Sequence, residues 1–156
     1  MKKNIRLLTH NEIPRVWEID RTELIERLYV LQQGQLVLSE QRFDMKGWPE
    51  GEAEHYTPVL LESAERGAPF WGVFEDDKLV AAASVDPQWR GQDNTLLQLS
   101  FLHISHQQRG QGLARILFDY CVEYAKQKGA SGLYISSTPS ENSVNFYQHM
   151  GCRLID

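Results

Sequence analysis

Cysteine is nearly missing from this chain: Cys121 and Cys152 are the two among 156 residues, too few for a disulfide framework and without metal-site spacing. Such usage suits a reducing compartment. The five histidines show no H-x-x-x-H pairing, so no metal is expected. Positive charge is also short. Sixteen Lys and Arg stand against 21 Asp and Glu, a formal net charge of −5, which disfavours a phosphate backbone and therefore nucleic acid as a partner. No apolar run reaches bilayer-spanning length, and Met1-Lys2-Lys3-Asn4 leads into a strand rather than an apolar leader. A membrane partner is therefore not expected, and the cytoplasm is the default compartment. Repeats, linkers and low-complexity tracts are absent as well. The length suits a single domain, 1–156, with room for one proper core.

What the chain does have is an abrupt change of hydrophobic period. Leu96, Leu97, Leu99, Phe101, Leu102 and Ile104 put apolar side chains on both faces of a strand, as in the centre of a covered sheet. From Leu113 onward the spacing becomes helical: Leu113, Ile116, Leu117, Tyr120, Cys121, Tyr124 and Ala125 share one face. Lys126 and Lys128 suit the helix C-terminus, and Gly129 suits the stop. Between strand and helix lies His106-Gln107-Gln108-Arg109-Gly110-Gln111-Gly112. At such a turn the first helical N–H groups lack intrahelical partners, and glycines let an anion approach them; a pyrophosphate fits. Two phosphate-binding motifs are excluded by spacing. Neither Lys nor Ser/Thr follows Gly112, as a nucleoside-triphosphate loop requires, and Arg115 stands where a dinucleotide fingerprint needs Gly or Ala.

The remaining elements are read in order. Ile5 to Leu8 is a first strand, and Thr9-His10-Asn11-Glu12 starts a helix carrying Ile13, Val16, Trp17 and Ile19. Ile25 to Phe43 reads as a β-hairpin around Gln32-Gln33-Gly34-Gln35, although Leu24, Ile25, Leu28 and Leu31 also fit a helix from Thr22 through Leu31. A loop from Asp44 to His55 precedes a helix from Thr57, with Pro58 at N1, to Gly67. Phe70–Phe74 and Leu79–Val85 form a hairpin, and Pro87 to Asn94 is a loop into the central strand. Leu133 to Ser137 is a short strand. A last helix starts with Thr138 at the N-cap, Pro139 at N1 and Glu141 at N3, and stops at Gly151. Cys152 to Ile155 is a closing strand. Simple alternation places Gln98, Ser100 and Leu102 on one face of the central strand and Leu99, Phe101 and His103 on the other, with His103 packed against a helix. His106 and His149 read as surface residues.

The string from Leu102 to Ala114 resembles motif A of the GNAT superfamily of acyl-CoA N-acyltransferases, [Q/R]-x-x-G-x-[G/A], in two registers: Gln107, Gly110, Gly112 and Arg109, Gly112, Ala114. Asn145-Phe146-Tyr147-Gln148-His149-Met150-Gly151-Cys152 resembles the family's F-Y-x-x-x-G-F signature, with Cys152 where Phe is usual. The resemblance implies an α/β (α+β) GNAT fold: a central mixed, mostly antiparallel, twisted sheet flanked by about four helices, with the hairpin inserted between the first two. The family usually has one more strand after the closing one. Either that strand is missing here or a partner chain supplies it in a homodimer.

The resemblance also implies chemistry. Acetyl-CoA would be the cosubstrate and a primary amine of a small, cationic molecule the acceptor. The main chain of Leu102, His103 and Ile104 would bond the pantetheine and the thioester carbonyl. The backbone from Gln108 through Arg109, Gly110, Gln111, Gly112 and Leu113, followed by Ala114, would hold the pyrophosphate. Arg109 or Arg115 would face the 3′-phosphate, and Asn142 falls near a family Asn that meets the cofactor. Tyr147 is the candidate general acid, since a phenol of pKa about 10 is protonated at neutral pH and can serve a thiolate of pKa about 8.5. A family Glu or His base often projects from the positions of Gln98 and Ser100. Neither residue is basic, so they would order a water, with Glu40, Glu52, Glu54 or His55 as outside candidates. On the acceptor side, Asp44, Glu50, Glu52 and Glu54 with Tyr29, Phe43 and Trp48 make an acidic, aromatic-flanked surface for a cation. Two alternatives stay open: a non-catalytic acyl-CoA binding or sensing domain, and a protein N-terminal or lysine acetyltransferase.

Overall fold

A computed structural model describes residues 3–136 and 140–153. Its elements in chain order are Lys3–Leu7 (β1), a 3-10 helix at His10–Glu18, Glu23–Gln32 (β2), Gln35–Met45 (β3), Glu52–Glu65 (α1), Phe70–Glu75 (β4), Lys78–Arg90 (β5), Leu96–Ile104 (β6), Leu113–Gln127 (α2), Gly132–Ile135 (β7) and Glu141–His149 (α3). Five strands form one sheet in the order β1-β4-β5-β6-β7, antiparallel except for the β6–β7 pair. Strands β2 and β3 form a separate two-stranded sheet. This is the mixed, mostly antiparallel architecture expected, with the 3-10 helix at His10–Glu18 standing first and a short 3-10 turn at His106–Gln108 between β6 and α2.

Apolar side chains cover both faces of the sheet. On one face Leu113, Leu117 and Cys121 of α2 pack against Val73, Val85, Leu97 and Leu99. On the other, Ile13, Val16 and Ile19 pack with Leu60, Phe70, Leu79 and Phe101. Burying each Leu or Ile stabilises the fold by roughly 1.5–3 kcal/mol, so these layers hold β5 and β6 in place. Residues Leu79 to Asp86 of β5 are all buried, as a strand covered on both faces must be.

Several boundaries differ from the sequence reading. The hairpin forms rather than the helix, closing at Gln33 (φ 51°) and Gly34 (φ 77°), the left-handed pair that matches strand twist. Its arms outrun Ile25 and Phe43 at both ends. Helix α1 begins at Glu52, not Thr57, so Pro58 lies inside it. Gly51 enters at φ 83°, and Glu52 and Glu54 favour the dipole at the first turn. Consequently Glu52, Glu54 and His55 sit on a helix, not in a loop. Strand β5 absorbs Pro87 to Arg90, which reading by composition makes a loop. Ser140, not Thr138, caps α3, its hydroxyl accepting from the Ser143 N–H at 3.3 Å. Ser137, Thr138, Pro139, Leu154 and Ile155 lie outside the described residues, and so does the closing strand beyond Arg153.

Candidate active site

The site follows from how β6 changes neighbours. It pairs in parallel with β7 from Leu96↔Gly132 to Leu99↔Ile135, and there the pairing ends. Among the described residues, β6 continues to Ile104 with only β5 paired beside it. The β5 register jumps at this point. Ser84 faces Phe101 and Val85 faces Leu99, so Ser100 is an extra residue in β6, a bulge that also turns the side chains over. Simple alternation therefore fails: Leu97 and Leu99 join the α2 core while Phe101 joins the opposite one, with Leu102 and Ile104 back on the α2 side.

Beyond the bulge the hydrogen-bond parity is fixed. Ser105 N–H donates to Val80 O at 2.7 Å, which makes 105 and 80 a bonded antiparallel pair. In such a ladder bonded and non-bonded pairs alternate. His103 opposite Ala82 then bonds β5, whereas Leu102 opposite Ala83 and Ile104 opposite Ala81 direct N–H and C=O away from it. Among the described residues, the Leu102 main chain and the Ile104 N–H thus lie without a strand partner along a cleft of about 560 Å³, while Ile104 O accepts from Arg109 Nε. The His103 main chain is spent within the sheet.

The turn after β6 is clamped by a corner near the N-terminus. Asp20 N–H donates to Ser105 Oγ (2.8 Å), His106 N–H to Asp20 O (2.9 Å), and Gln107 Nε2 to Asp20 Oδ2 (2.9 Å). The Thr22 hydroxyl first, then the Thr22 N–H and Gln107, hold the Asp20 carboxyl down to about 2. Arg109 Nη1 donates to Thr22 O at 2.9 Å, and its Nε to Ile104 O at 3.3 Å. Gly110 (φ 80°) and Gly112 (φ 82°) then carry the chain into α2. A Cβ on either would meet nothing within 4 Å, so open space lies before the turn and the first N–H groups of α2. An acyl-CoA fits these features, with its phosphates at the turn and its amide-bearing arm beside Leu102 and Ile104.

Helix α3 supplies the facing wall through Asn142, Phe146 and Tyr147. The Tyr147 ring packs on Phe118 (6.1 Å between centroids) and Phe146 (5.2 Å), which fixes its direction. Burial, followed by the nearby Cys121 and Cys152 thiols, pushes its phenol up, so it is protonated across the neutral range. Among the described residues its hydroxyl has no hydrogen-bond partner. Across the cleft the His103 ring packs against Trp48 (4.9 Å) and Phe101 (4.8 Å), not against a helix. Burial first, then Arg21 and Arg109, hold it neutral with its pKa near about 3.

Most of the motif residues line this one cleft: Leu102, His103, Ile104, Gln108, Arg109, Gly110, Gly112, Leu113 and Ala114, with Ser100, Arg115, Asn142 and Tyr147. Gln111 lies in the turn between the two glycines but not on the cleft wall. The other acceptor-side candidates, Tyr29, Phe43, Asp44, Trp48, Glu50, Glu52, Glu54 and Gln98, stand elsewhere. Tyr29 donates its hydroxyl to Asn145 Oδ1 (2.7 Å), tying β2 to α3. Trp48 donates to Ile19 O (2.8 Å) behind His103. Glu52 sits in the first turn of α1, and Gln98 lies between Asp86 and Tyr134 before the bulge. The cleft adds Arg21 and Glu23, which form an ion pair at 3.0 Å. No motif marks them; their one signal is charge of both signs beside the chain reversal into β2. No group of three or more metal-ligating side chains converges among the described residues.

Comparison with known proteins agrees with the geometry. The sequence model of the acetyltransferase (GNAT) family matches residues 25–152. The fold is similar to a putative streptothricin acetyltransferase from Bacillus anthracis str. Ames in complex with acetyl coenzyme A (TM-score 0.71, 14% identity, 96% of this chain and 83% of that one). It is likewise similar to nourseothricin acetyltransferase (0.67, 14%, 96% and 82%). A third is glucosamine-6-phosphate N-acetyltransferase from Arabidopsis thaliana (0.63, 13%, 100% and 95%). No curated protein sequence matches significantly.

Proposed function

The chain belongs to the acetyltransferase (GNAT) family, whose members acetylate with acetyl-CoA, and we propose that its acceptor is the primary amine of a small molecule. One observation carries this reading: the stretch of β6 at Leu102 and Ile104, beyond its last described pair with β7, faces the Tyr147 wall across a single cleft. Acetyl-CoA brings an acyl group already activated as a thioester, so the protein's work is placement and proton transfer. The main chain of Leu102 and Ile104 orients the amide-bearing arm, and the N–H groups opening α2 hold the phosphates.

The proton steps follow from the same wall. As the amine nitrogen bonds the acyl carbon and the carbon–sulfur bond breaks, the Tyr147 hydroxyl gives its proton to the departing sulfur. The phenolate regains a proton from solvent. His103, neutral with its pKa near about 3, is too weak a base to take the amine's proton. That proton leaves through water held at Ser100, whose hydroxyl already donates to Ser84 O at 3.2 Å and accepts from no other group among the described residues. Sparse cysteine supports a cytoplasmic setting, and the single core supports one domain, 1–156. The test is thiol release from acetyl-CoA across polyamines, aminoglycosides, amino acids and short peptides. Turnover with one small-molecule class supports the reading. Acetylation confined to protein partners, or tight acetyl-CoA binding without turnover, overturns it.

A further inference from the structure

The charges that line the cleft differ from those the acidic loop suggests. Asp44, Glu50, Glu52 and Glu54 do not reach it; the cleft instead carries Arg21, Arg109 and Arg115 with a single carboxylate, Glu23, among the described residues. Arg115 belongs to the first turn of α2, at the phosphate end. Arg21 and Glu23 lie beside His103, next to Arg109 of the turn, which reaches back to Thr22. Arg109 spends its donors on the backbone carbonyls of Thr22 and Ile104, which leaves its charge uncancelled by direct contact with a carboxylate.

Arg21 is the unusual member. It is 9% exposed, the one Lys or Arg in the buried set of described residues. Burying a guanidinium is costly unless its donors are met. Yet among the described residues one nitrogen alone, Nη1, is bonded, to Glu23 Oε1 at 3.0 Å. A guanidinium offers five N–H donors in a planar fork that suits a two-oxygen anion, so Nε and Nη2 are left over at the cleft wall. The cleft wall itself carries two guanidiniums and the Glu23 carboxylate here, the Asp20 carboxylate acts on Arg109 from the clamp behind, and neutral His103 adds no charge. A second, smaller groove of about 210 Å³ between β2 and α3 meets the main cleft at Glu23 and Asn142. It gives the rest of an acceptor a route out past Arg27 and Glu141.

We propose that the acceptor is a zwitterion, an amine with a carboxylate close beside it: Arg21 binds the carboxylate and Glu23 faces the ammonium. This rests on reading the cleft as that of a small-amine acetyltransferase, and it replaces the simple cation expected from the loop with an amino-acid-like class. Arg21 is then a specificity-determining residue, and the buried pair is arranged for a ligand that exchanges partners with it.

Binding separates this idea from the activity. Amino acids and their decarboxylated counterparts, arginine with agmatine and lysine with cadaverine, are titrated calorimetrically into the protein saturated with coenzyme A. In at least one pair the carboxylate-bearing member binds at least about tenfold more tightly, the size of a lost charge-assisted contact. Arg21→Gln collapses that ratio toward one while acetyl-CoA affinity holds, which a merely structural role would not do. Should Arg21→Gln fail to fold, Arg21→Lys keeps the charge without the fork and lowers the ratio only in part. Equal or tighter binding of the decarboxylated amines, no binding by either member of any pair, or a ratio unchanged in the folded variants overturns the proposal. A tenfold preference without acetyl transfer to any amine leaves the zwitterion site standing and contradicts the proposed activity instead.

Discussion

The β6–α2 unit and the β2–β3 hairpin show two ways a strand pair is stabilised. Strand β6 is central, its neighbours covered by apolar layers, and it feeds a helix whose inner face is fully buried. The hairpin stands apart as a two-stranded sheet, with Leu24, Leu31, Val37, Leu38 and Phe43 exposed. Among the described residues, what anchors the hairpin is sparse: buried Ile25 (5% exposed), Tyr29 to Asn145, Arg27 to Glu141 at 3.5 Å, and the bridge Leu28↔Ser140. An isolated two-stranded hairpin is marginal in water, so its register depends on α3 far more than β6 depends on any single neighbour. The half of the cleft proposed for the cofactor is thus built from main chain on a rigid core. The half proposed for the acceptor is built from side chains at the foot of a lightly held arm.

That difference can be broken experimentally. Leu117, fully buried in α2, gives the largest stability effect: Leu117→Ala should cost about 2–5 kcal/mol in denaturant unfolding. Next comes chemistry, where Tyr147→Phe should lower turnover by about 10²-fold or more with acetyl-CoA affinity unchanged. Equal turnover would make Tyr147 a packing residue. Gly112→Ala places a side chain at φ 82°, which costs roughly 1–2 kcal/mol and weakens acetyl-CoA binding more than amine binding. Asp20→Asn sharpens the role of the corner that clamps the turn. The folded Asp20 carboxyl lies near about 2, below its unfolded value, so its stabilisation is present above the unfolded pKa and fades as pH falls toward about 2. Wild type should lead the variant by less than about 1 kcal/mol at neutral pH, since the group is largely solvated. Unfolding curves at acid pH should then converge. Smallest of all, Leu31→Ala on the hairpin, 64% exposed, should stay within about 0.5 kcal/mol. A loss comparable to Leu117→Ala would mean that the arm is covered by something in solution.

The same contrast explains what could be read before the fold was known. The period switch from β6 to α2 is local, and the glycines between them serve a backbone geometry that few other residues allow, so sequence alone locates strand, turn and helix. The bulge at Ser100 is invisible there because it is set by the register of β5, some 15 residues away. It reversed the faces assigned to Phe101 and His103. The start of α1 misled because Thr57-Pro58 resembles a cap followed by N1, while the true entry at Gly51 carries no side-chain cap. The clamp from Asp20 and Thr22 to Ser105 and Arg109 joins residues more than 80 positions apart, and Arg21 and Glu23 enter the cleft only through it. Acceptor chemistry resting on such long-range placement leaves no motif behind.

Amide hydrogen exchange across β6, with and without acetyl-CoA, tests the central claim most directly. Acetyl-CoA should slow exchange at Leu102 and Ile104, whose N–H groups face the cleft, and leave His103, already bonded to β5, nearly unchanged. Protection at His103 with none at Leu102 and Ile104, or protection confined to residues outside β6 and the turn to α2, would contradict it.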